Sequence, residues 1–392
     1  MEVLENTIGN IKASALIFIK ALSFLGAIFA PHLIPPNQIG KYALIFTSSL
    51  LISNVLNAGL SNQIKAGYTN SRLYWSYTIY SILLIAAVCT LQVFEYRVLI
   101  FYIGLVSATS IQMILESFYI KRSYINGRIA LSLIYEFLPL YMALLIYGFF
   151  SFDYFLSRTI VLMLGISTLI VILGFKSSVI FSSLRINPLN SNSHFIIHSI
   201  ALLLLVQSPK ILEFINTNSY DNLGYFHTSF SLGMLPFFIL SVLDSIYQSF
   251  ELNDRESKIW KFMYVRYMPL FLLLLILVVK FLAYYILPFD YVNLRLIGAV
   301  GASSIAAFWY SLLVLQEVKR NDKKRLSRNG ILSLIFVIVL VLLSSYIEAL
   351  IFYIPLIGYL FLVLIRIQEY KNFDTGILFP VLSLIFITII IL

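Results

Sequence analysis

The sequence predicts an all-α polytopic membrane protein, two pseudo-symmetric six-helix bundles around a central cavity, with one extra C-terminal span. Three observations carry this. Of 392 residues, 60% are hydrophobic and only 11% charged, against roughly 25% charged in a soluble domain. Apolar runs such as 98–115, 266–287 and 376–392 contain few or no ionised groups. Basic residues gather at every second gap between runs. Hydrocarbon offers backbone groups no partner, so runs of this length must be helical. The composition excludes soluble enzymes and nucleic-acid-binding modules.

Taken in order, the runs place spans near 12–30, 38–62, 75–94, 98–118, 129–150, 157–175, 195–212, 223–249, 265–287, 292–316, 330–347, 351–366 and 376–392. The first is read as a retained span, because Glu2 and Glu5 precede it and no small-residue cleavage signal follows. Tyr346, Glu348 and Pro355 mark either a turn between two short helices or a break in another pairing. Residues 1–185 are expected to form one six-helix lobe and 186–375 the other, divided at the polar segment 176–194, with 376–392 as a further span. Ile39-Gly40-Lys41-Tyr42 and Leu223-Gly224-Tyr225-Phe226, opening the second and eighth spans, echo each other as parallel repeats would.

The 27 Lys and Arg exceed the 18 Asp and Glu by nine. Most of these bases, including Lys121, Arg122 and Arg128 and the group from Lys319 to Arg328, fall in alternate gaps, which places those gaps and the N-terminus in the cytoplasm. Lys41, Arg97, Arg158, Lys210, Lys280 and Arg295 lie in or near the other side. The external loops are too short for a catalytic domain.

Ionisable groups inside apolar runs are costly unless they face protein or water, so they are the candidate site. Lys20 lies eight positions beyond Lys12, ~12 Å deeper, and either faces a wet interior or snorkels. Ser49, Ser53, Asn57 and Ser61 repeat every fourth residue and either line a cavity or pack helices. Glu116 shares a face with Gln112, Glu136 follows Arg128 by eight residues, and Asp244 shares a face with Gln248. These carboxylates are candidates for pairing with the bases or for coupling to an ion. Cys89 has no partner cysteine, and the four histidines are scattered. No nucleotide-binding loop, metal-ligand spacing or catalytic constellation is present, so no enzyme activity, cofactor or metal is expected. Alternating exposure of the two halves is the leading mechanism.

The external turn Leu33-Ile-Pro-Pro-Asn-Gln-Ile-Gly-Lys-Tyr-Ala-Leu-Ile, its continuation Asn57-Ala-Gly-Leu-Ser-Asn and the counterpart Asn222-Leu-Gly-Tyr-Phe carry a resemblance. The chain resembles, over about residues 5–370, the O-antigen or polysaccharide flippase branch of the multidrug, oligosaccharidyl-lipid and polysaccharide exporter superfamily. The run at 376–392 departs from that plan. The resemblance implies a polyprenyl-diphosphate-linked oligosaccharide moved from the cytoplasmic to the external leaflet of a bacterial inner membrane. It also implies a role in O-antigen and lipopolysaccharide biosynthesis, a monomer among membrane lipids, and a polysaccharide polymerase as partner. Basic cavity residues would hold the phosphates, with Lys20, Lys41, Lys280 and Arg295 as candidates, and polar ones such as Asn57 the sugar. Alternatives are a cation-coupled small-molecule exporter, in which Glu136 and Asp244 come first, and a membrane polysaccharide polymerase or ligase.

Overall fold

The computed structural model describes residues 2–57, 125–174, 193–240, 243, 254–287, 292–319 and 323–367, with most residues between 102 and 116. The expected spans near 75–94 and 376–392, the 185/186 boundary and Asp244 lie outside the described residues. Within them the chain is all-helical, and five helices are long and apolar enough to cross a membrane.

Helix α1 (Glu2–Leu33) and α2 (Pro36–Asn57) are separated by a two-residue break. Pro36 opens α2, where its missing N–H costs nothing. The described residues between 102 and 116 are helical and meet α2 where Ser53 donates to the Val106 carbonyl. Helix α3 (Ile125–Ser132) passes through one π-turn (Leu133–Phe137) into α4 (Leu138–Phe150). Pro139 has no N–H to give Tyr135 and crowds that carbonyl, which loosens the local winding. The Leu138 N–H reaches back five residues, to Leu133. Helix α5 (Tyr154–Gly174) completes the described N-terminal half.

The C-terminal half contains α6 (Ser193–Thr217), α7 (Tyr220–Gly233), α8 (Asp254–Ile286), α9 (Leu294–Lys319), α10 (Lys323–Ser344) and α11 (Ile354–Ile367). A turn at 345–347 and a 3-10 helix (Glu348–Tyr353) join α10 to α11. The residues around Tyr346 therefore mark a turn between two helices.

The tight turns share one end of the bundle. Gln38 accepts from the Tyr154 N–H at 3.1 Å, and Phe226 packs on Phe352. Asp153 and Asn293 cap the helices after them, accepting from Leu156 and Leu296 at 3.0 Å each. Ser151 and Asn218 adopt positive φ at two of these turns. Among the described residues, the buried side chains of one apolar core come from residues 30–162, with Tyr225 packed against it from the other half, and those of three others come from residues 205–363. Helix α9 is the central strut of the second half, almost wholly buried between Leu294 and Leu313. By contrast α8 and α10 turn rows of large apolar side chains outward, Phe281 and Leu342 among them.

Candidate functional site

A cavity of about 450 Å³ lies mostly in the N-terminal half and is closed on one side by α6, α7 and the residues after α7. Its wall is mainly apolar, with Phe46, Leu105, Leu162, Val206 and Phe230 among the lining residues. The polar groups sit at two depths.

The deeper group comes from α1, the π-turn and residues 112–116. Lys20 donates to the Glu136 carboxylate in an ion pair. The loosened winding before Pro139 sets Glu136 in the wall, and the Tyr141 hydroxyl fixes α1 by donating to the Leu22 carbonyl at 2.7 Å. Arg128, buried, feels the fields of Glu116 and Glu136. A void of about 10 Å³ among Lys20, Gln112, Glu116, Arg128, Ser132 and Glu136 is roughly the size of one water. Two cations and two carboxylates make this group balanced. Lys20 and Glu136 lie 13 and 14 residues from the turn ends of their helices, ~20 Å by helical rise.

The second group lies nearer the turns and is cationic. Arg158 is one turn into α5, where its guanidinium donates to the Tyr154 hydroxyl at 2.8 Å and stacks over Tyr42 at 4.2 Å. Lys210, from α6, is 7% exposed. Its ammonium donates to Gln207 Oε1 at 3.3 Å and sits 4.8 Å from the Phe230 ring centroid. Among the described residues neither cation forms an ion pair. His227 lies within electrostatic reach of both. The fully buried Thr159 hydroxyl and His227 Nδ1 line or adjoin the same space without a hydrogen-bond partner among the described residues.

Such a surface suits an anion rich in acceptor oxygens. Coulomb attraction is far stronger here than in water, and the N–H groups Arg158 leaves unused can form charge-assisted bonds. Because Arg158 belongs to the N-terminal half and Lys210 to the other, a bound anion would bridge the halves.

Of the residues singled out from sequence, the structure brings together Lys20, Glu116 and Glu136. Lys41 is instead exposed near the turns, 5.8 Å from the Tyr220 ring centroid. Lys280 is 7% exposed but lies on α8 beside the apolar cluster of Val279, Ala283 and Leu235, away from the cavity. Arg295 is exposed at the start of α9. Asn57 ends α2. Ser49 and Ser53 are fully buried, and Ser53 donates to the Val106 carbonyl at 3.0 Å and meets the Thr109 hydroxyl. That part of the serine stripe packs helices.

By position in the sequence Arg158 and Lys210 fall with the external charges and Arg128 with the cytoplasmic ones. All three instead turn inward. Local signals were present: a tyrosine one turn before Arg158, and Gln207 and Pro209 beside Lys210.

The chain superposes on a MATE protein whose crystal structure was solved in complex with MaD5. The TM-score is 0.52 and the identity 11%, over 95% of this chain and 94% of that one. The shared property is the fold, that of a polytopic helical membrane protein. No family model and no curated protein matches the sequence.

Proposed function

We propose that this chain is a membrane transporter that moves a lipid-diphosphate-linked oligosaccharide from the cytoplasmic to the external leaflet by alternating exposure of its two halves. The observation that carries the reading is the pair of half-buried Arg158 and buried Lys210, cations on opposite halves that face one cavity and form no ion pair among the described residues. Two like charges facing one poorly solvated cavity repel each other. A diphosphate relieves that repulsion and ties the halves together, which gives it a differential affinity for the closed arrangement. The fold shared with a MATE transporter supports movement of a solute rather than covalent chemistry. The positive-inside pattern supports a cytoplasmic N-terminus, with the tight-turn end outside. Lys20 and Glu136 would exchange partners as the headgroup passes, Lys20 following the phosphate and Glu136 left for solvent.

A second reading is a cation-coupled exporter of small molecules, favoured by Glu116 and Glu136 in the same cavity. Proteoliposomes separate the two. Loaded with a fluorescent polyprenyl-diphosphate sugar, the intact protein should flip the lipid, and Arg158→Ala or Lys210→Ala should slow it. Equal flipping by the intact protein and both variants, with loss confined to Glu116→Gln and Glu136→Gln, would favour the second reading.

A further inference from the structure

The short sequence echo between the second and eighth spans falls where the halves touch most closely. A Cβ on Gly40 would lie 1.9 Å from the Tyr220 carbonyl oxygen, and a Cβ on Gly224 2.1 Å from the Pro36 carbonyl oxygen. Tyr220 precedes Gly224 by four residues and Pro36 precedes Gly40 by four, so the contact is reciprocal. Each glycine meets the carbonyl one turn upstream of the other, as at a two-fold axis between identical helices. The neighbours match as well: Ile39 and Leu223 are buried, as are Tyr42 and Phe226. No residue with a side chain fits at either position, because the clash is with backbone. In return the backbones come close enough for Cα–H···O contacts.

This crossing lies directly above the cavity. On α2 the lining residues begin at Tyr42, two positions beyond Gly40, and on α7 at His227, three beyond Gly224. Below the crossing the halves touch again where the Thr47 hydroxyl donates to Gln207 at 3.4 Å. Two contacts beside the seam belong to the first half: Gln38 with Tyr154 and Arg158 with Tyr42 fasten α2 to α5. Helix α2 is fastened to α5 by these two contacts, while it lies along α7 and α6 of the other half, with its closest approach at the two glycines.

We infer that the Gly40–Gly224 crossing is the gate at the tight-turn end of the cavity, closed in this structure, and that the halves part there when the cavity opens to that side. Bonds of the Cα–H···O kind are weak, and at the point of closest approach no side chains interlock, so the crossing itself can part without a change of rotamer. Lys41 and Tyr220, stacked across its outer edge, add a contact that water can replace.

The test reads accessibility and needs no substrate, so it can fail or succeed independently of the proposed cargo. In a Cys89→Ser background, Ser231→Cys places a thiol on the cavity wall, to be labelled by an impermeant maleimide applied at the tight-turn side of reconstituted vesicles. Gly40→Leu and Gly224→Leu should wedge the seam and raise the labelling rate about tenfold or more, as a population shift of that size requires. Joining Lys41→Cys to Tyr220→Cys with a short reducible cross-linker leaves both glycines intact and should suppress the labelling until the linker is cut. Should the leucine variants fail to fold, the cross-linked pair still decides. Unchanged labelling in the locked protein would overturn the gate, as would unchanged labelling in well-folded leucine variants.

Discussion

The segment Gly104-Leu-Val-Ser-Ala-Thr-Ser-Ile-Gln-Met-Ile-Leu-Glu116 in the first half matches Gly298-Ala-Val-Gly-Ala-Ser-Ser-Ile-Ala-Ala-Phe-Trp-Tyr310 in the second. Their first two turns behave alike. Thr109 donates to the Val106 carbonyl at 2.9 Å and Ser303 to the Val300 carbonyl at 2.5 Å, each satisfied within its own helix. Then they diverge. Gln112 and Glu116 reach the cavity, while Ala306, at 1% exposure, and Tyr310 join a packed core with Phe308 and Trp309. One helix pattern therefore lines a polar cavity in one half and a filled core in the other, where the buried Arg366 guanidinium stacks over Tyr310 at 4.7 Å. The second half offers one face, bearing Gln207, Lys210 and His227, to the hollow of the first.

If the cationic level is the working part of this asymmetry, the largest effects come from removing it. Arg158→Ala and Lys210→Ala should each cut transport by ~10–100-fold, since a charge-assisted hydrogen bond is worth about 1.5–3 kcal/mol, and together they should abolish it at normal protein abundance. Flipping measured per reconstituted molecule decides this, and wild-type rates in the double variant would break the comparison at its root.

Exchanging residues between the matched helices comes next. Ala306→Gln forces an amide into a filled core and should cost ~2–4 kcal/mol, seen as a lower melting temperature in detergent. Gln112→Ala, beside a cavity, should cost under ~1 kcal/mol. Similar losses for both would mean that the halves are equally well packed.

Lys210→Met tests stability against function. A buried cation held by one amide and one ring is a net liability, so an apolar replacement of similar length should be neutral or stabilising by ~1–3 kcal/mol while transport falls. A large drop in melting temperature would assign Lys210 a structural role. Breaking the Lys20–Glu136 pair should matter less, because both side chains are partly exposed: a double-mutant cycle should return about 1 kcal/mol or below.

The smallest effects belong to cations outside the cavity. Lys280→Met and Arg295→Ala should leave transport within ~2-fold of the intact protein, as expected of sites that touch no substrate. A loss in Lys280→Met matching that in Lys210→Ala would move the phosphate site to α8.

Much of the fold was legible, because hydropathy and charge spacing are local signals and the bilayer punishes exceptions. Lys20, Glu116 and Glu136 were legible for the same reason, being ionisable groups deep inside apolar runs. Arg158 and Lys210 were not: a charge one or two turns from a helix end looks like a loop residue, and only tertiary packing shows that Arg158 stacks on Tyr42 and that Lys210 turns toward Phe230. Lys280 misled in the opposite sense. Depth along a helix is readable from sequence, but the face that a residue presents depends on which neighbours α8 finds. The echo around Gly40 and Gly224 could be seen in one dimension, whereas its reciprocal contact needed three.

The most direct measurement is binding of a short-chain polyprenyl diphosphate sugar to the purified intact protein, its Lys210→Ala and Arg158→Ala variants, and Lys280→Ala as a reference, at several salt concentrations. The intact protein and Lys280→Ala should bind alike, and each cavity variant should bind ~10-fold or more weakly with a shallower salt dependence, since one phosphate contact is gone. Equal affinity and equal salt dependence in all four proteins would contradict this expectation.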